Sequence, residues 1–319
     1  MSAAMIYSIR HITGFAYQPA VRESVMEVRM QPRSEGTQRC LNFYLDVSPH
    51  ASIMVYRDFL GNTIHHFDIP GSQAQINITA KAIVEVQPIP PPQAAEACNW
   101  SDFDTQVDLG DYWEMLLPSR YACSTEALEQ FARELNLKRG ASPLETLLEL
   151  NQAIYKAFDY VPNSTKVDSP IDDALRSRGG VCQDFAHIMI ALVRQLRMPC
   201  RYISGYLCHD TKVPDRSPQG ATHAWVEAFL PPLGWVAFDP TNNLVASDRH
   251  IRVAIGRDYA DVPPTRGVYR GEATSELSVG VYVSTVDKPL PEELAPATVI
   301  QSRTVTVAPV DRSHEQQQQ

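Results

Sequence analysis

The hydrophobic period of this chain changes at a run of prolines, Pro88-Ile89-Pro90-Pro91-Pro92. Before it, apolar residues alternate. After it, they recur at three- and four-residue spacing. A period of two builds strands with one buried face, and a period near 3.6 builds amphipathic helices. A stiff proline segment suits neither and reads as a boundary. The order of elements is therefore strands first and helices second, followed by further strands.

In the first part, Tyr7, Ile9, His11, Thr13, Phe15 and Tyr17 fall on one alternating face. The stretches 25–30, 41–47, 53–56 and 76–86 read as further strands. Gly61-Asn62 marks a hairpin turn. Several short strands without helices predict a small antiparallel β-sandwich over 1–90. Residues 93–120 give no clear pattern. Residues 125–135 are amphipathic. Ser142-Pro143-Leu144-Glu145 is a capping box with proline at the first helical position, and Ser169-Pro170-Ile171-Asp172 repeats that signal. A helix over 182–196 follows Gly179-Gly180. Strands return at 201–207, 222–230, 234–239 and 277–286, and 248–272 reads as a long ordered loop. The expected partition is a β-rich unit over 1–90, a core over 91–290, and an extended or disordered tail over 291–319. The fold class is α+β, with helices packed on an antiparallel sheet in the second unit.

Hydrophobic residues make up 44% of the chain and charged residues 20%, enough for a sizeable packed core. The net charge is −9, with no basic block, which argues against nucleic acid as a partner. No apolar run approaches the ~20 residues that span a bilayer. The first ten residues lack the pattern of a cleaved leader, so the expected location is the cytoplasm. The six cysteines include no CxxC pair and read as reduced thiols, leaving one of them free to do chemistry.

Cys182 is the strongest candidate. Two glycines precede it, and it occupies the first turn of an apolar helix. There the unpaired N–H groups and the helix dipole favour a thiolate, and the same N–H groups can receive an oxyanion. The plainer alternative is a small core cysteine, so the decision rests on whether a base exists elsewhere. Asp184 and His187 lie about 200° and 140° around the helix from Cys182 and point to other faces. Asp184 suits the helix N-terminus, and His187 suits a buried structural role.

The base appears in Thr222-His223-Ala224-Trp225-Val226-Glu227-Ala228-Phe229-Leu230. Here His223, Trp225, Glu227 and Phe229 share one strand face, which fits a cleft. The turn Pro231-Pro232-Leu233-Gly234 leads into Trp235–Pro240. Pairing the strands with Phe229 opposite Trp235 sets Asp239 diagonal to His223 on the same face, within reach of an imidazole–carboxylate hydrogen bond. A one-residue slip would separate them. Glu227 is the rival orienter; Asp239 is favoured because Pro240 leaves it at a strand end. Cys182, His223 and Asp239 then form a nucleophile, a base and an orienter in the chain order of papain-like enzymes.

Three segments, Gly180–His187, Thr222–Glu227 and Gly234–Thr241, together resemble the transglutaminase-like superfamily, in the bacterial branch that carries a β-rich N-terminal region. The resemblance implies a papain-like core in which Cys182, His223 and Asp239 are catalytic. Gly256–Pro264 also resembles a stretch of that branch. Asp258 within it, and Trp225, are candidates to line the substrate cleft. The Cys182 N–H, Tyr160 and the Gln183 side chain are candidates for the oxyanion. No acidic calcium loop is present, and no cofactor or metal is expected. A zinc site built from Cys182, Cys208, His209 or His223 is the weaker alternative, because Cys208 and His209 are adjacent. The expected function is acyl transfer through a thioester on a peptide or protein substrate, with hydrolysis favoured over transamidation. A non-catalytic peptide-binding protein is the remaining alternative.

Overall fold

A computed structural model describes residues 4–93, 98–209, 215–286 and 315–317. The first sheet is built on two 24-residue strands, β1 (Met5–Val28) and β4 (Thr63–Val86), paired antiparallel along nearly their whole length. The pairing register shifts between Ala16 and Val21 and again between Arg22 and Ser24. Bulges of this kind bend a sheet sharply. Beside one half of the pair lies β2 (Gln38–Ser48), and beside the other lies β3 (Met54–Arg57). Phe15, Tyr17, Ile76 and Ile78 from one half share a single core with Met26, Val28, Phe67 and Ile69 from the other. The sandwich is thus one sheet folded over on itself. The alternating face from Tyr7 to Tyr17 is buried as expected.

The ambiguous stretch after the prolines holds α1 (Trp100–Leu109) and α2 (Trp113–Leu116). Next come α3 (Glu126–Glu134) and α4 (Pro143–Ala157), the latter capped by Ser142 Oγ, which accepts the Glu145 N–H at 3.2 Å. A two-residue parallel ladder joins β5 (Asp159–Tyr160) to β6 (Gly179–Gly180) across α5 (Ile171–Ser177). Ser169 does not cap α5; its hydroxyl accepts the Lys166 N–H instead. The central helix is α6 (Cys182–Gln195), and from Cys182 to Arg194 every residue is buried.

The second sheet contains β7 (Cys200–Leu207), β8 (His223–Leu230), β9 (Gly234–Asp239), β10 (Leu244–Val245) and β11 (His250–Gly256), in the order β10-β9-β8-β7-β11, all antiparallel. Ala224, Val226, Ala228 and Leu230 share one core with α6. Tyr206, Ile251 and Val253 pack on Tyr7, Ile9, Val84 and Val86 of the first sheet. Polar contacts stitch the same junction. The Gln38 amide donates to the carbonyls of Arg33 and Arg252 and accepts the Arg252 N–H. Asn62 bonds both backbone groups of Ile255. No helix among the described residues is long and apolar enough to cross a membrane.

The structure corrects one expectation. The stretch 248–272 is not a loop: it holds β11, a 3₁₀ turn at Tyr259–Asp261, and β12 (Thr265–Arg270). The apolar alternation of Ile251, Val253 and Ile255 marks β11 in the sequence, but its pairing with β7 is bulged between Arg252 and Ala254. Both β12 and β13 (Thr274–Thr285) pair with β1, so the closing strands of the first sheet come from the far end of the sequence. Of the expected tail, Glu315–Gln317 form β14 against β12; residues 287–314 and 318–319 lie outside the described residues.

Candidate active site

Cys182 opens α6 behind a tightly fitted turn. A Cβ on Gly180 would stand 2.8 Å from Asp184 Oδ2 and 3.2 Å from the Phe185 ring, so only glycine lets the chain enter the helix here. The Asp184 carboxylate accepts the Val181 N–H at 2.9 Å and the Thr165 hydroxyl at 2.6 Å, closing the first turn. Burial pushes that carboxyl above its ordinary range. His187 Nε2 accepts the Tyr259 N–H at 3.1 Å and the ring stacks on Tyr121; burial pushes the imidazole down to about 4. Both residues thus hold structure around α6, as their angular positions predict.

The strands bring the base to the thiol. The register of β8 and β9 pairs Phe229 with Trp235 and Val226 with Phe238, as predicted. His223 Nε2 lies 2.8 Å from Asp239 Oδ2, and both residues are buried. Its other nitrogen, Nδ1, bonds to no oxygen or nitrogen among the described residues and is left for the neighbouring Cys182 thiol. Burial alone would discharge the ring, but the Asp239 carboxylate and the Cys182 sulfur outweigh it and raise the imidazole to about 10. Asp239 Oδ1 accepts the backbone N–H groups of Thr241 and Asn242, and Oδ2 accepts the Asn242 side-chain amide. Burial opposes its charge, yet the imidazole partners hold the carboxyl far below its usual range. Glu227, the rival orienter, is turned away and ion-paired with Arg201 and Arg252.

Sequence reasoning misses His250. Its Nε2 lies 3.1 Å from Asp239 Oδ2, so one carboxylate oxygen serves two imidazoles. His223 starts β8 opposite Gly205 of β7, and His250 starts β11 opposite Leu207 on the other side of that strand. A Cβ on Gly205 would stand 2.6 Å from the Trp225 ring; its absence lets the indole lie across β7 and meet the His250 ring at 5.2 Å. The signal available in sequence was the apolar alternation of Ile251, Val253 and Ile255, which marks a strand with His250 at its start.

The remaining candidates separate. Tyr160 lies beside Cys182, and its hydroxyl is pushed up by burial and then by the Cys182 charge. The Gln183 amide nitrogen donates one of its two N–H groups to the Val167 carbonyl at 3.0 Å. Trp225 is fully buried with Ile203, Ala246 and Ile255 and packs against the imidazoles of His223 and His250. Asp258 is also buried; its carboxylate accepts the N–H groups of Tyr121 and Ala260 and ties down the 256–264 strap. Cys208 and His209 do not join a ligand cluster. His209 pairs with Asp215, and the metal-competent set among the described residues is His223, Asp239 and His250. Within that set the Ser247 N–H donates to His250 Nδ1, leaving the proton on Nε2 and directed at Asp239.

A papain-like order of cysteine, histidine and aspartate, on a helix packed over an antiparallel sheet, defines a class of thiol acyl-transfer folds. Residues 129–240 match the transglutaminase-like superfamily, and residues 7–85 match the bacterial transglutaminase-like N-terminal region. The chain belongs to this family. It is 32% identical over 302 residues to an uncharacterised protein of Mycobacterium tuberculosis, covering 89% of this chain and 94% of that one. A candidate cysteine protease from Cytophaga hutchinsonii superposes with a TM-score of 0.71 at 26% identity, covering 91% of this chain and 93% of that one. A protein-glutamine gamma-glutamyltransferase of Pseudomonas aeruginosa is 26% identical over 182 residues, which is 53% of this chain but 26% of that one.

Proposed function

We propose that the protein is a cysteine-dependent hydrolase of peptide or carboxamide bonds, acting through a thioester in the cytoplasm on a peptide or protein substrate. The observation that carries the reading is the buried Asp239–His223 pair, whose ring neighbours the Cys182 side chain at the first turn of α6. The Cys182 thiolate attacks the carbonyl carbon while His223 holds the thiol proton. The C–N bond breaks as His223 returns that proton to the leaving amine. Water then attacks the thioester, giving a proton to His223, and the acid leaves as the thiol re-forms. Asp239 orients the ring and stabilises the imidazolium. The Cys182 N–H is the first oxyanion donor, and the Tyr160 hydroxyl, beside Cys182, is the second.

Hydrolysis is favoured over transfer because an amine acceptor must compete with water. The likeness to the candidate protease also runs over nearly the whole chain, while that to the glutamyltransferase covers about half. A peptide-library digest with and without an added primary amine, read by mass spectrometry, tests this. Cleaved products that vanish in Cys182→Ala are expected. Amine adducts in their place would move the assignment to transamidation. Equal cleavage by Cys182→Ala and the unaltered protein would refute the mechanism.

A further inference from the structure

Acyl transfer by Cys182, His223 and Asp239 gives His250 no role, yet this side chain is built into the site from both ends. It is 4% exposed. Its Nδ1 accepts the Ser247 N–H at 3.3 Å, and its own backbone N–H donates to the Ser247 carbonyl at 3.1 Å. That clasp fixes the tautomer: an accepting Nδ1 requires the proton on Nε2. Trp225 packs edge-on against the ring and fixes its plane. The Nε2–H therefore has one destination, Asp239 Oδ2, which also accepts His223 Nε2 and Asn242 Nδ2.

Each N–H that bonds a buried carboxylate oxygen stabilises the anion and weakens its pull on every other proton. An Asp239 relieved of one donor would grip the His223 proton harder. In the acyl-transfer reading, on which the role of His250 rests, His223 must also release that proton to the leaving group, so too strong a grip slows the second half of the exchange. We infer that His250 is a positioning residue for the Cys182–His223–Asp239 chemistry: a neutral second imidazole that shares the Asp239 oxygen, fixes the carboxylate's rotation and tempers its hold on the His223 proton. The titratable and charged groups around the two rings are Cys182 from α6, Asp239 from β9, His209 after β7 and Arg249 before β11. Burial, the His223 imidazolium and Arg249 keep His250 uncharged against the opposing pull of Asp239.

The test follows Cys182 alkylation by iodoacetamide against pH, peptide by peptide, in the full-length chain, in His250→Phe and in His250→Gln. Glutamine sets an amide N–H near the place of Nε2–H; phenylalanine removes the donor and keeps the volume. The upper inflection of the Cys182 profile, where His223 loses its proton, is expected to move to higher pH by about half a unit or more in His250→Phe and to return in His250→Gln. An unmoved inflection, or a downward shift, overturns the inference. If His250→Phe does not fold, nitrogen-15 histidine spectra of the unaltered protein decide alone. They should show His250 neutral and protonated at Nε2 at neutral pH; a proton on Nδ1, or a charged ring there, overturns the inference. Failure of the underlying reading looks different: Cys182 of the unaltered protein would then alkylate no faster than the other cysteines, and the acyl-transfer assignment would fall, taking the role of His250 with it.

Discussion

At the scale of single residues, the site is an exercise in making charge tolerable inside a protein. Asp239 is fully buried and keeps its charge because five donors meet its two oxygens. Replacing it with Asn removes the charge that holds His223 protonated. Asp239→Asn is therefore expected to lower kcat on any cleaved peptide by roughly a hundredfold or more, read by steady-state kinetics. The same pair sets a pH window for stability. His223 is raised from 6.5 to about 10, so its contribution is complete below 6.5 and is lost as pH climbs towards 10. Asp239 is depressed from 3.8, so its contribution is present above 3.8 and is lost on further acidification. Melting temperature measured from neutral to alkaline pH should fall more steeply in the unaltered protein than in Asp239→Asn. These residues were legible because each sits at an element boundary that the sequence marks: a double glycine before Cys182, a strand start at His223, a proline after Asp239. The burial of Trp225 on its strand and of Asp258 in its strap was not legible, because a polar or aromatic side chain reads alike in sequence whether it meets solvent or another element.

Among the elements, two glycines decide whether the reacting groups meet. A methyl at Gly180 must displace Asp184, and with it the first turn that carries Cys182. Gly180→Ala is expected to slow Cys182 alkylation and to cost about 1–3 kcal/mol in denaturant unfolding. A methyl at Gly205 would collide with the Ile251 carbonyl at 2.2 Å and with the Trp225 ring, prising β11 from β7 and taking His250 away from Asp239. The β8–β9 hairpin could be read ahead of any structure because its register is local and a single aromatic pair fixes it. His250 could not, because its meeting with Asp239 depends on β11 crossing to the far side of β7, a pairing of strands more than forty residues apart. Nothing in the neighbourhood of residue 250 encodes that distance.

For the whole molecule, the junction between the two sheets is both apolar and hydrogen-bonded. Gln38 is 1% exposed and spans it with three bonds to main-chain groups. Gln38→Ala removes all three bonds and leaves the Arg252 N–H and the Arg33 carbonyl without the Gln38 partner, while the Arg252 carbonyl keeps the Arg33 N–H; it is expected to lower unfolding free energy by about 2 kcal/mol or more. A fragment ending at residue 92 would contain only part of the first sheet, because β12 and β13 are absent and one edge of β1 stays open along most of its length. Such a fragment is expected to aggregate or remain unfolded by circular dichroism and size exclusion; a folded monomer would contradict the assignment of those strands. Nesting the reactive unit between the opening and closing strands of its neighbour also dictates an order of assembly on the ribosome. The enclosed unit can finish while the outer one still waits for its last two strands to emerge, so the earliest-made part of the polypeptide is the last to be sealed.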